Sequence, residues 1–320
     1  MRVRLILPPF LVLASALAPA ASALAGTGLL RFPDVCGNRI VFTYAGDLWA
    51  VGTEGGTAIR LTAGPGVEQA AHFSPDCSQI AFTGQYSGDD QVFVIPSSGG
   101  EPRQLTWYPT PGPLPQRWGI DSQVYGWTPD GSAVVFRSTR DAVGISNPKL
   151  FKVAVAGGLP TALPMPTAGS GEYSPDGKQI VYSPKFRDYR TWNRYVGGWA
   201  QDLYIYDIAG RSARNITADQ HTDRDPMWIG NAIYFLSDRG EHLNLYRFDI
   251  GSGETRQLTD YKGKDARWAG SDGKSQIVFE VDGSLHLYDT SASRDKALDI
   301  SVPSDLVPRH AGAGIYPQAG

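Results

Sequence analysis

Among 320 residues there are two cysteines, three methionines and five histidines. Two cysteines allow at most one disulfide, so no cystine framework holds this fold together. The histidines (His72, His221, His242, His286 and His310) are scattered, with no His-x-x-x-His or Glu-paired spacing of the kind zinc needs. No metal or cofactor is therefore expected. A Gly-x-Ser-x-Gly nucleophile elbow is also missing, and no catalytic residue is assigned. Lys and Arg never run beyond two in succession and the net charge is −3, which leaves no basic footprint for nucleic acid. Nor does any stretch sustain a helical period of apolar residues, which excludes the helical classes. What remains is a chain with 42% hydrophobic and 19% charged residues, enough for a real core and too apolar for disorder.

The N-terminus carries the first positive signal. "MRVR" supplies charge, "LILPPFLVLASALAPA" is apolar, and "ASA" (21–23) or "ALA" (23–25) offers small residues for cleavage. This pattern predicts a secretory signal peptide over 1–25. A membrane anchor is the other reading, but Pro8, Pro9 and Pro19 interrupt a run already short for a span. No cysteine follows the small residues, which argues against a lipid anchor. The mature chain is expected to be periplasmic or extracellular, with no membrane span.

The second signal is repetition, and it decides the fold. One β-type segment recurs six times: "RIVFTY" (39–44), "QIAFTG" (79–84), "AVVFRS" (133–138), "QIVYSP" (179–184), "AIYFLS" (232–237) and "QIVFEV" (276–281). Each is followed by a second, from "DLWAV" (47–51) to "SLHLYD" (284–289). β-Branched and aromatic residues dominate both sets, bounded by Gly, Asp, Pro and Ser. A glycine-centred turn and a third strand follow, with Gly56, Gly100, Gly158 and Gly253 each five positions before Leu61, Leu105, Leu163 and Leu258. "RLT", "QLT", "NIT" and "QLT" then close units one, two, four and five. Ahead of each unit sits a short segment such as "AAHFSP", giving four strands per repeat.

Six such units predict an all-β, six-bladed β-propeller over 29–303, with four antiparallel strands per blade and a ring closed without strand exchange. The recurring "SPD(G/C)" is the turn between the innermost strand and the next. Pro sets φ, Asp bonds back to the backbone, and Gly supplies positive φ. Residues 304–320 lack the period and read as an irregular tail or linker. Cys36 and Cys77 fall at this same turn in adjacent units, either bridged or as two independent turn residues.

Two insertions interrupt the repeat. "YPTPGPLPQRWGIDSQVY" (108–125) is dense in proline, and "KFRDYRTWNRYVGGWAQ" (185–201) gathers Arg187, Arg190, Trp192, Arg194, Tyr195 and Trp199. Trp, Tyr and Arg dominate interface hot spots, so this segment is a candidate surface for a peptide or a partner domain. The alternative is a long hairpin whose aromatics cover the propeller's side. "TDRDP" (222–226) reads as a blade-edge cap, and "NIT" (215–217) fits a glycosylation sequon whose Ile and Thr already have strand roles.

The opening "LLRFPDVCGNRIVFTYAGDLWAV", together with "RTWNRYVGGWAQDLYIYD" and "TDRDPMWIGNAIYFLSDR", resembles the amino-terminal six-bladed propeller of exported tricorn-type serine proteases. The resemblance runs from Leu29 to Pro303. The repeats alone are shared with TolB-like propellers and with those of some exported amidohydrolases. In the tricorn family a seven-bladed propeller, a PDZ module and a Ser/His catalytic core follow the first propeller, and that family's catalytic residues map to nothing in this sequence. The resemblance implies a non-catalytic module that gates or channels peptides or unfolded polypeptide and assembles with the downstream domains. It also implies that Arg117, in "PQRW", holds a substrate carboxylate, with Gln116 where a second arginine would stand. The alternatives are a stand-alone TolB-like periplasmic binding protein and the propeller of an exported amidohydrolase.

Overall fold

The computed structural model describes residues 29–109, 119–142, 147–189 and 194–303. Six antiparallel sheets form six blades. Blade one holds β1 (Arg31–Cys36), β2 (Arg39–Tyr44), β3 (Asp47–Gly52) and β4 (Gly55–Arg60). Blade two follows with β5 (Glu68–Phe73), β6 (Gln79–Gly84), β7 (Gln91–Pro96) and β8 (Arg103–Gln104). In blade three these become β9 (Gln123–Trp127), β10 (Ala133–Ser138), β11 (Lys149–Ala154) and β12 (Thr161–Ala162). Blade four is β13 (Ser170–Tyr173), β14 (Gln179–Ser183), β15 (Tyr204–Asp207) and β16 (Ser212–Asn215). Blade five comprises β17 (Asp223–Ile229), β18 (Ala232–Ser237), β19 (Asn244–Asp249) and β20 (Thr255–Gln257). The last blade is β21 (Ala266–Ser271), β22 (Gln276–Val281), β23 (Ser284–Asp289) and β24 (Arg294–Ala297). Among the described residues no helix is long and apolar enough to cross a membrane.

Why the second strands are almost continuously apolar follows from where their two faces go. Ile40 and Phe42 of β2 pack toward blade six, with Val278 and Leu285, whereas Val41 packs toward blade two, with Ile80 and Phe82. Side chains alternate across a strand, and both faces of each blade meet a neighbour, so both sets must be apolar. Each of the clusters of buried side chains spans a junction between adjacent blades, and one of them joins blade six to blade one. The core is a ring of inter-blade seams.

The repeated turn has one chemistry. Ser74 Oγ donates to Asp76 Oδ1 at 2.6 Å while accepting the Gln79 N–H at 3.0 Å. Thr128 with Asp130 and Ser174 with Asp176 repeat the first bond at 2.6 and 2.7 Å. These bonds hold the Asp76 and Asp130 carboxyls down at about 2. The turn then needs a left-handed residue: Gly131 and Gly177 supply φ of 69° and 70°, and Cys77 takes 63° in their place. Glycine adopts that conformation at little cost, whereas a side chain strains it by on the order of 1–2 kcal/mol.

No blade takes any of its four strands from the other end of the chain. The structure adds one element the sequence did not show. β25 (Ile300–Ser301) runs parallel to β4 and makes a fifth, outermost strand on blade one.

Candidate functional site

The innermost strands β1, β5, β9, β13, β17 and β21 surround the axis, and a cavity of about 310 Å³ between them is lined by residues from all six. Four of these strands carry a bulge at the same register, and each bulge holds a non-glycine residue in the left-handed region. Those residues are Phe32, Ala70, Asp225 and Trp268, at φ of 50–55°. Such positions cost of order 1–3 kcal/mol each, and bulges re-aim side chains. Here they bring Phe32, Asp225 and Trp268 to the cavity wall. Pro33 and Pro226 follow two of the bulged residues directly, and proline inside a strand is confined to edges and bulges. That was the available sequence signal.

The cavity walls include the aromatics Phe32, Tyr125, Trp127, Tyr173, Trp228 and Trp268. Against them stand carboxylates that also tie neighbouring blades together. Asp34 Oδ2 accepts the Phe73 N–H at 2.8 Å, bonding blade one to blade two. Glu172 Oε2 accepts the Trp228 N–H at 3.2 Å, bonding blade four to blade five. Burial pushes the Glu172 carboxyl up to about 8, the Trp228 bond opposing and the Asp34 charge adding to the rise. His72 Nδ1 lies 3.7 Å from Asp34 Oδ1.

One end of the cavity is framed by the repeated turns, including Pro75, Pro129 and Pro175. Phe32 and Trp268, with ring centroids 4.4 Å apart, belong to its wall as well. Packed on them is Tyr189 of the blade-four insertion, 5.1 Å from Trp268 and 6.4 Å from Phe32. Phe186 backs Tyr189 at 5.7 Å and lies under the Arg137 guanidinium at 3.5 Å. At position 119 only glycine fits, because a Cβ there would sit 2.5 Å from the Tyr189 ring. Beside the plug Arg224 Nε lies 3.5 Å from Asp188 and 3.4 Å from Asp225, all three side chains buried. The insertion thus packs aromatics against the cavity wall, and its Asp188 joins Arg224 and Asp225 of β17 in a buried ion triad.

Of the residues singled out in the sequence, Arg187 is 9% exposed, its guanidinium 4.0 Å over the Trp199 ring and bonded to the Phe186 carbonyl. It packs inside the insertion. Arg194 is exposed and donates to the Glu241 carbonyl at 2.5 Å; Tyr195 is half-buried; Trp199 is 47% exposed beside Val196. Arg117, Arg190 and Trp192 lie outside the described residues, as do the signal peptide and the tail from 304. Cys36 and Cys77 are joined through their sulfurs, with Cα atoms 5.8 Å apart. Among the described residues no group of three or more His, Cys, Asp or Glu side chains could hold a metal ion. In the sequon, Thr217 is buried and its hydroxyl accepts the Leu203 N–H at 2.8 Å. Asp34, Glu172, Tyr189 and Trp268 were not anticipated as site residues.

Residues 27–294 match the tricorn protease N-terminal β-propeller domain. Tricorn protease homolog 1 of Streptomyces coelicolor is 31% identical over 285 residues, covering 88% of this chain and 25% of that protein. The crystal structure of the tricorn protease superposes with a TM-score of 0.76 at 22% identity, over 86% of this chain and 26% of that one. A TolB from Agrobacterium tumefaciens gives 0.57 at 19% identity, over 86% of this chain and 91% of that one. The chain spans about a quarter of the length of the curated relatives it matches. On the match over 27–294, the chain belongs to the tricorn protease N-terminal β-propeller family.

Proposed function

We propose that this chain is the non-catalytic propeller module of an exported tricorn-like serine peptidase. It receives peptides or unfolded polypeptide at the ring's central cavity and assembles with downstream propeller, PDZ and catalytic domains. One observation carries the reading: a cavity lined from every blade, in a chain matching the family domain from end to end of the ring. The aromatic walls suit peptide side chains, and a rigid ring positions them at small entropic cost. Export is supported by the basic-then-apolar N-terminus. The exposed Trp199 and Val196 of the insertion supply an apolar face for a neighbouring domain.

Nucleophilic catalysis requires an activated Ser, Cys or Thr with a base and oxyanion donors, and no such set is assigned here. The test incubates the purified chain with unstructured peptides and with a serine-directed covalent probe. Peptide binding without turnover is expected. Turnover that survives further purification, stoichiometric labelling of one serine, or no binding of any peptide would each overturn the reading.

A further inference from the structure

We propose that the central cavity recognises an alkylammonium group, with the charge held between Asp34 and Glu172 and the adjoining carbons against tryptophan faces. The two carboxylates come from blades one and four and project into the same aromatic-walled space. Each spends one oxygen on a neighbouring blade's N–H. Asp34 is only 4% exposed, and His72 Nδ1 stands 3.7 Å from its Oδ1, beyond hydrogen-bond distance. The Tyr125 hydroxyl, also on the cavity wall, is buried without a partner. These oxygens are acceptors, and an ammonium is a compact cation with three donors and no acceptor. Aromatic faces attract cations through their negative quadrupole, more so when water is excluded.

Competing occupants fit less well. An anion would meet the buried Asp34 carboxylate. A divalent metal ion would want several oxygen or imidazole ligands together, and no such group of three exists among the described residues. Protein cations do not fill the place between Asp34 and Glu172: Lys274 is exposed at the turn, His72 stands 3.7 Å from Asp34, and Arg224, 4.9 Å over the Trp268 ring, is engaged with Asp188 and Asp225. Burial with no full counter-charge is what raises Glu172 to about 8. A volume of about 310 Å³ is at the small end for ligand sites, room for a residue or two. Only the source of the amine rests on the peptide-handling reading: a peptide offers one at its N-terminus and on each lysine.

The experiment titrates the whole chain by calorimetry and tryptophan fluorescence, with Trp127, Trp228 and Trp268 as reporters. The probes are butylammonium, butyrate, lysine-free tripeptides with free or acetylated N-termini, and acetylated tripeptides containing one lysine. Butylammonium is expected to bind and butyrate not. Free tripeptides should bind at least tenfold more tightly than their acetylated forms, and the lysine arm tells whether a side-chain amine substitutes. Glu172→Gln keeps an acceptor for the Trp228 N–H and is expected to weaken amine binding at least tenfold, with an unchanged melting temperature certifying the fold. Asp34→Asn is a second variant with the same expectation.

Equal binding of butyrate and butylammonium, indifference to acetylation, or unchanged affinity in Glu172→Gln would overturn the amine site. Peptides that bind regardless of their amines sink this inference and leave the peptide module standing. Amines that bind while no peptide does would support the site and sink the module. If nothing binds, both fall.

Discussion

Thr62, Thr106, Thr217 and Thr259 perform one task in four blades. Each Oγ1 accepts a backbone N–H from the third strand of its own blade or, in blade four, from the residue just before it: Leu48 at 2.9 Å, Val92 at 2.9 Å, Leu203 at 2.8 Å and Leu245 at 2.9 Å. Thr259 also donates to Asn244 Oδ1 at 2.9 Å. The recurring "LT" and "IT" pairs were visible in the sequence, but the reason for the threonine was not, because its partner lies 14 residues upstream. Replacing Thr259 by Val keeps the shape and leaves a buried N–H unsatisfied, which costs about 1–3 kcal/mol. Thr259→Ser keeps the hydroxyl and should lose less. Urea unfolding of the three proteins checks this, and a serine variant as unstable as the valine one would remove the hydroxyl from the account. Asp34 and Glu172 were hard to read for a related reason. An acidic residue in a short strand looks solvated until the ring turns that strand toward the axis.

At the scale of elements, the strands and their turns were legible because they repeat. Period-2 apolar patterning and Ser/Thr-Pro-Asp turns are local chemistry, and local chemistry survives without an alignment. The inner-strand bulges were not, since a register shift at Phe32 or Trp268 depends on what the partner strand does. The blade-four insertion was found by its aromatics, but composition could not say that Phe186 and Tyr189 turn inward while Trp199 stays out. The turns carrying Cys36 and Cys77 were placed on one end of the ring, and the structure sets their Cα atoms 5.8 Å apart, within the span a disulfide allows. The bridge would close a loop with a sequence separation of 41, for which loop-closure entropy gives roughly 2–4 kcal/mol. We predict that Cys36→Ser lowers stability by about that amount relative to unreduced protein, with no difference once the parent is reduced. Thiol titration of denatured, unreduced protein should find no free thiol. Two thiols in protein isolated from an oxidising compartment would refute the bridge.

The whole molecule is a ring, and a ring must close. Closure by exchanging one of a blade's four strands would fix the seam through a shared sheet, but here the four strands of each blade are contiguous in sequence, and only the short β25 joins blade one from the far end. The seam between blades six and one is held by scattered bonds, by that short strand and by a shared core. The Leu30 N–H donates to the Gly283 carbonyl at 3.0 Å, and Lys296 reaches Glu54 at 2.7 Å. β25 lies along β4, with the Gly56 N–H donating to the Asp299 carbonyl at 2.8 Å. Ile300 and Val302 carry that strand into the blade-six and blade-one core. The ring itself was legible because six units of like pattern admit few other folds. The clasp was not, because two residues have no period to read. Its weight can be measured with two neighbouring glycines. Both Gly55 and Gly56 have positive φ, 91° and 104°, so alanine strains the backbone at either. A Cβ at Gly56 meets nothing within 4 Å, whereas one at Gly55 would sit 2.5 Å from the Asp299 carbonyl oxygen. Gly56→Ala therefore reports strain alone, on the order of 1–3 kcal/mol, and Gly55→Ala reports strain plus displacement of β25. Gly55→Ala is expected to melt at the lower temperature and to lose hydrogen-exchange protection at Gly56. Equal melting temperatures and equal protection in the two variants would mean that the clasp adds nothing to closure, and that the shared core alone holds the seam.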